Sequence, residues 1–292
     1  MRFKHLTVVG VGLIGGSFAK AARQLGLAEH ITGLDNRQRL EEARSSGVID
    51  DVEDSFLAGH WCAADLIYLA APVSSIIAFL RTNSRLIRPG ALITDAGSTK
   101  REICLAAEEF VPSSVAFVGG HPMAGSHNTG LADTTGELFR DAAYAVVPTR
   151  NSSEESIGRV TEIATLLGAR PLTLSAAEHD HSVALISHTP QLLSTALALT
   201  VSSGGDKERL TQLAGKGFSD CIRLAASEWS IWEDIFRTNP DEIDFALANV
   251  VREIELLRLS IKSGDFESLG DSFQAGTGFA QSFLKRNDAK ER

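Results

Sequence analysis

Cysteine is scarce in this chain, and what there is gives no pairing pattern. Cys62, Cys104 and Cys221 are odd in number and show no C-x-x-C spacing. Neither a disulfide framework nor a zinc site is expected, and each reads as an inert buried thiol. Basic residues are outnumbered, 28 Lys and Arg against 37 Asp and Glu, for a net charge of −9. That leaves no broad basic face for nucleic acid or an anionic membrane. No charge-free apolar run reaches the length of a membrane span, and no secretory leader opens the chain, so a cytoplasmic protein is expected. Internal repeats and low-complexity segments are missing too. What remains is an acidic chain of 292 residues, long enough for two domains.

The first half alternates short apolar strands with helical patterns, the rhythm of a parallel α/β sheet. His5-Leu6-Thr7-Val8-Val9 reads as a buried strand. It runs into Gly10-Val11-Gly12-Leu13-Ile14-Gly15-Gly16-Ser17 and then a helix through Phe18, Ala21, Ala22 and Leu25. Gly10 permits a tight turn, Gly12 a close approach to a pyrophosphate, and Gly15 close packing of helix on strand. Leu13 and Ile14 open that helix, whose free N–H groups favour an anion. A second strand, Ile31–Leu34, ends at Asp35, twenty residues beyond Gly15. That spacing suits the acid that binds the adenosine ribose diol and repels a 2′-phosphate, so NAD is favoured over NADP. Arg37 is either a phosphate receiver or a solvated residue at a helix start.

Three further strands carry their ends to the same side of the sheet. Leu66–Ala70 leads through Ala71-Pro72-Val73-Ser74 into a helix over 76–86, and Ala91–Thr94 ends in Asp95-Ala96-Gly97-Ser98-Thr99-Lys100. Val115–Val118 delivers Gly119-Gly120-His121-Pro122-Met123-Ala124-Gly125-Ser126, which places His121 in a rigid loop just after its strand. Ligands of open α/β sheets bind outside the carboxyl ends of the strands. A histidine arriving there stands where hydride chemistry needs a proton acceptor.

After strands at 143–147 and 170–174, with a capped helix from Asn151-Ser152-Ser153-Glu154-Glu155 to near Gly168 between them, strand patterns stop. The division is expected at 1–174 and 175–292. Val183–Val201 is apolar on almost every side and reads as a helix buried all round. Asn239 caps a further helix that starts at Pro240. Its stripe Ile243, Leu247, Val250, Ile254, Leu257 and Ile261 is a domain core or a subunit seam, and a homodimer is expected. His188, beside Pro190, is a satisfied core histidine or a ligand group. Arg223 reads as a surface residue paired with Asp220 on the previous turn.

Taken together these motifs resemble the prephenate and arogenate dehydrogenases. The resemblance rests on the Gly10 fingerprint, Gly97-Ser98-Thr99-Lys100, the His121 segment, Ser187-His188-Thr189-Pro190, and the stretch from Gly217-Phe218 to Trp232-Glu233-Asp234-Ile235-Phe236. It implies a Rossmann-type domain followed by an all-α dimerisation domain, and NAD-dependent oxidative decarboxylation of a cyclohexadienol such as prephenate. By that resemblance His121 hydrogen-bonds the substrate's 4-hydroxyl, and Ser98 orients His121 and the nicotinamide end. Arg223 holds a substrate carboxylate, His188 lines the cavity, and Trp232 closes it, from the same chain or from the partner subunit. Gly10, Gly12, Leu13, Ile14, Gly15, Asp35, Ala71, Pro72 and Ser98 hold the cofactor, and no metal is implied. The chain departs from the family pattern at His127 and Gln191, both near the expected substrate entrance. Other readings are arogenate as the substrate, a β-hydroxyacid dehydrogenase using Lys216, and a non-enzymatic NAD sensor. The sensor has no use for His121, Ser98, His188 and Arg223 together.

Overall fold

The computed structural model describes residues 2–54, 59–124 and 133–288, so Gly125, Ser126 and His127 lie outside the described residues. The chain forms two compact units, Met1–Pro240 and Asp241–Arg292.

The first unit is built on one sheet. Its strands and helices run β1 (Phe3–Val9), α1 (Leu13–Gln24), β2 (Ala28–Leu34), α2 (Arg37–Ser45), β3 (Asp51–Glu53), β4 (Leu66–Leu69), α3 (Val73–Asn83), β5 (Leu92–Asp95), α4 (Arg101–Phe110), β6 (Ala116–Pro122), β7 (Ala143–Pro148), α5 (Glu154–Leu166) and β8 (Arg170–Thr173). In space the order is β3-β2-β1-β4-β5-β6-β7-β8, parallel except where β7 meets β6. The segment β3 to β6 has the doubly wound order, reversing beside β1. Leu34, Val9, Leu69 and Asp95 sit level with one another, so the turns that follow open along one edge.

Both faces of this sheet are buried, which is why its strands read as unbroken apolar runs. Leu6, Val8, Tyr68 and Val146 pack on one side with Phe18 and Ile31. Val9, Ile67, Leu69 and Val147 pack on the other with Trp61, Phe79 and Ile93. Pro171 lies in β8, an edge strand, where a missing N–H is tolerated.

Two boundaries differ from the sequence reading. β3 is too short to carry a pattern. β6 extends past Val118 through Gly119-Gly120 to Pro122, so His121 is a strand residue opposite Ala145 rather than part of a loop. The two glycines hide the strand in the sequence, yet packing requires one of them. A Cβ on Gly120 would lie 2.4 Å from the Asp95 carbonyl oxygen and 2.8 Å from the Tyr144 hydroxyl. Of the cysteines only Cys104 is buried; Cys62 is half-buried and Cys221 exposed.

After β8 only helices follow among the described residues: α6 (Ala176–Val183), α7 (Thr189–Ser202), α8 (Lys207–Leu213), α9 (Lys216–Ile222), α10 (Trp229–Thr238), α11 (Pro240–Ser263) and α12 (Phe266–Asp288). Ser175 and Glu178 close a capping box at the start of α6. The helix expected over Val183–Val201 is interrupted by a π-helical turn, Ala184–His188, with Pro190 in the first turn of α7. Proline offers no N–H to the turn before it, and the wide turn absorbs that gap. Nor is the segment buried all round, since Leu185, Ile186, Leu197 and Leu199 are exposed on the single chain. Asn239 does not cap α11 as expected. Its amide donates to the Asp180 carbonyl at 2.8 Å, and its Oδ1 finds no partner among the described residues.

Within the second unit α11 and α12 are joined at Gly264, where φ is +74°. Ile254 and Ile261 of the expected stripe are exposed, as are Phe273, Phe279 and Phe283 on α12.

The third fingerprint glycine gives a direct test of the packing at β1. A Cβ on Gly15 would sit 1.9 Å from the Gly10 carbonyl oxygen, whereas one on Gly12 meets nothing within 4 Å. Gly15→Ala is expected to destabilise the protein by about 1–3 kcal/mol through overpacking. Gly12→Ala should leave it nearly unchanged, and urea unfolding of the two variants measures the difference.

Candidate active site

The turn after β1 is shaped to admit an anionic ligand. Gly10 has φ of +86°, and a Cβ there would lie 2.5 Å from the Ala70 carbonyl oxygen, so only glycine fits. Gly12 stands before α1 without a side-chain cap, leaving the first N–H groups of the helix to a ligand. Asp35 closes the loop from β2. Its Oδ2 accepts the Val11 N–H at 2.8 Å, and its Oδ1 accepts the Asn36 N–H at 2.6 Å. Arg37 turns along α2 to Glu41 at 3.1 Å. The arginine that reaches the cleft is Arg39, 3.8 Å from the Asp35 carboxylate.

A cleft of about 430 Å³ opens beside this loop, lined by Ile14, Ala71, Pro72 and Ser98 together with Ile231 and Asp234 of α10. Two contacts fix α10 as the far wall. The Asp234 carboxylate accepts both the backbone N–H and the hydroxyl of Ser74, at 2.9 and 2.7 Å. The hydroxyls of Thr99 and Thr238 are 2.7 Å apart. A carboxylate in the first turn of α3 is also favoured by the helix dipole. The glycine turn, the bare helix start, the strand-end acid and the adjoining cleft fit a dinucleotide.

Next to the cleft wall lies a buried polar cluster. Asp95, at the end of β5, accepts the Gly97 N–H on Oδ2 at 2.8 Å and the Gly120 N–H on Oδ1 at 3.0 Å. Its carboxylate also pairs with the Lys100 ammonium, and both side chains are wholly buried. Gly120 precedes His121, so this one carboxylate fixes the end of β6. The His121 ring is then held from the helical segment: its Nδ1 lies 2.8 Å from His179 Nε2. His179 Nδ1 lies 2.8 Å from Asp180 Oδ1. Asp180 in turn accepts the backbone N–H groups of Lys100 and Arg101, at 2.7 and 2.9 Å.

These surroundings hold the imidazoles neutral. Burial, His179, Lys100 and His188 together press His121 well below the ordinary histidine range. Burial lowers His179 as well, against the opposing hydrogen bond to Asp180. For Asp180 burial works toward the neutral acid, but the bonds from His179, Arg101 and Lys100 prevail and hold it ionised. His188 is pushed down to about 4, chiefly by burial.

His188 ends the π turn with its ring edge-on to Trp232 of the same chain, centroids 6.1 Å apart. His188 Nδ1, Gln191 Oε1 and Trp232 Nε1 are buried and find no hydrogen-bond partner among the described residues. Arg223 is exposed and opens the turn Arg223–Ala226, which is tied to α7 by the Ala225 N–H bond to Ser194 Oγ at 2.9 Å. Lys216, the lysine of the β-hydroxyacid reading, opens α9 on the surface. The sequence reading passed over His179 and Asp180 and gave Asp234 no individual role. A polar run, Glu178-His179-Asp180-His181, directly behind a capping serine was the available signal for the first two.

Fold and site together define a nicotinamide-dependent dehydrogenase: a doubly wound sheet, a dinucleotide cleft on its switch edge, and a neutral histidine one strand beyond the cleft wall. The relatives make this specific. Residues 18–173 match the family model for the prephenate dehydrogenase nucleotide-binding domain, and residues 175–275 match its dimerization domain. The chain is 34% identical to the prephenate dehydrogenase of Bacillus subtilis, covering 90% of this chain and 72% of that protein. Prephenate dehydrogenase of Aquifex aeolicus, solved with hydroxyphenyl propionate and NAD+, superposes with a TM-score of 0.90 at 26% identity, covering 99% of both chains. Synechocystis arogenate dehydrogenase superposes at 0.83 and 25% identity, covering 96% of this chain and 99% of that one. The chain belongs to the prephenate dehydrogenase family, and its cofactor is NAD.

Asp95→Asn leaves the buried Lys100 ammonium without its counter-charge. It should destabilise the protein by about 3–5 kcal/mol, the usual cost of breaking a buried pair on one side. Thermal or urea unfolding at neutral pH checks this.

Proposed function

We propose that this protein oxidises and decarboxylates prephenate to 4-hydroxyphenylpyruvate, with His121 as acceptor for the proton of the ring 4-hydroxyl. The observation that carries this reading is the neutral imidazole of His121, anchored through Nδ1 beside the cleft wall. When bound, NAD+ supplies the hydride acceptor for C4. His121 takes the hydroxyl proton as the C4 ketone forms. Loss of CO2 from the opposite ring carbon then aromatises the ring, and His121 returns the proton to the phenolic oxygen. Gly10, Gly12, Leu13, Ile14, Gly15, Asp35, Ala71 and Pro72 hold the dinucleotide, and Ser98, in the cleft wall, orients its nicotinamide end. His188, with its bare Nδ1, and Trp232 face the substrate. Arg223 binds a substrate carboxylate, where a guanidinium fork gives both geometry and charge.

We assign nucleotide binding to residues 1–174 and pairing of subunits to residues 175–292. The exposed apolar side chains of α7, α11 and α12 support a homodimer. The free thiols agree with a cytoplasmic location. Among the described residues no helix is long and apolar enough to cross a membrane. Arogenate, with an amino group in place of the side-chain ketone, is the second reading, favoured by the likeness to the Synechocystis enzyme.

The deciding assay is NADH formation from prephenate and arogenate side by side, repeated with NADP. Prephenate with NAD should give the highest kcat/KM, and no turnover of either substrate overturns the proposal. In the same assay His121→Asn should lower kcat by about 10²–10⁴-fold with little change in KM. Because His121 is held neutral, the acid limb of kcat/KM should fall below pH 6.5. Arg223→Ala should mainly raise KM for prephenate, by about tenfold, the effect of losing a hydrogen bond to a charged group. An unchanged KM removes Arg223 from the substrate site.

A further inference from the structure

We infer that His179 and Asp180 are positioning residues that fix His121 in its Nδ1–H tautomer, leaving Nε2 bare toward the substrate. This rests on the reading of His121 as proton acceptor, and the chain of donors and acceptors carries it. Backbone N–H groups are donors only, so the two that reach Asp180, from Lys100 and Arg101, require lone pairs on its carboxylate. An ionised carboxylate offers no hydrogen, so His179 Nδ1, 2.8 Å from Oδ1, must carry one. A neutral imidazole has a single N–H, which leaves His179 Nε2 as an acceptor. The atom facing it at 2.8 Å is His121 Nδ1, which therefore donates. With its one hydrogen spent there, His121 has an unprotonated Nε2. Every link is 2.8 Å long or nearly so, and no other arrangement of two neutral rings satisfies both ends.

The charged and titratable groups around the pair agree with neutrality. Lys100 from the start of α4 and His188 from the π turn oppose a proton on His121, while Asp95 on β5 balances Lys100. Without the acceptor at His179, His121 is free to carry its hydrogen on Nε2. In that form it donates to the substrate hydroxyl instead of receiving its proton. The same logic governs catalytic triads, where a buried carboxylate holds a histidine in one tautomer and stabilises the imidazolium that forms, without itself taking the proton. Here a second imidazole is interposed between carboxylate and base.

The test uses the full-length enzyme with NAD+, labelled with 15N-histidine, together with His179→Gln, His179→Phe and His121→Asn. In wild type at neutral pH the His121 signals should show a protonated Nδ1 and a pyridine-like Nε2. His179→Phe removes the acceptor and should lower kcat by about 10²–10⁴-fold, leave KM for NAD+ little changed, and move His121 toward the Nε2–H form. His179→Gln places a carbonyl near the former Nε2 and should retain much more activity than His179→Phe. A wild-type His121 protonated on Nε2 overturns the inference, as does equal kcat in the Gln and Phe variants. Should His179→Phe fail to fold, the wild-type spectrum still decides. An inactive His121→Asn beside a fully active His179→Phe sinks only the tautomer control. An active His121→Asn sinks the acceptor reading itself.

Discussion

The carboxylate of Asp95 is the constraint on which the site depends. It sits at the end of a buried strand and satisfies three donors from three directions: the Gly97 N–H, the Gly120 N–H and the Lys100 ammonium. Through the first it sets the loop that lines the cleft. Through the second it sets the strand that carries His121. Through the third it anchors the start of α4, whose Lys100 and Arg101 N–H groups hold Asp180. The cleft wall, the His121 imidazole and the Asp180 carboxylate thus share one fixed point. A buried charge is costly to strand without partners, and here every lone-pair direction in use meets a donor.

The wall opposite is supplied by the helical part of the same compact unit. Asp234 at the head of α3 and Thr238 against Thr99 join α10 to the loops after β4 and β5. The Asn239 amide donates to the Asp180 carbonyl, which ties the end of α10 to the start of the polar relay. This explains why Met1–Pro240 forms a single compact unit although the strands stop at Thr173. The functional division proposed from composition and the physical division of packing need not coincide.

Much of the sheet was legible because its signals are local. Gly10, Gly12 and Gly15 report backbone conformations and close approaches that few other residues permit, and the apolar runs report burial on both faces. His121 was found for its neighbours in sequence, but its strand was not, since Gly119 and Gly120 carry no strand signal and the need for Gly120 arises from Asp95 and Tyr144 across the sheet. His179 and Asp180 were missed because their meaning lies in contacts 58 and 80 residues away. The helix over Val183–Val201 misled for a different reason. An exposed apolar surface reads the same in sequence as a core, and only exposure on the single chain separates the two.

Four polar atoms buried around the π turn, on His188, Thr189, Gln191 and Trp232, meet no hydrogen-bonding group among the described residues. Such atoms discriminate by what they lack. A guest that supplies complementary groups relieves them, while a look-alike short of one leaves an unmet donor or acceptor sealed from water. Rejection of that kind far exceeds what a greasy pocket achieves by shape alone. On the substrate contacts we propose for His188 and Trp232, fidelity resides in a few unanswered atoms as much as in any contact the folded chain already makes.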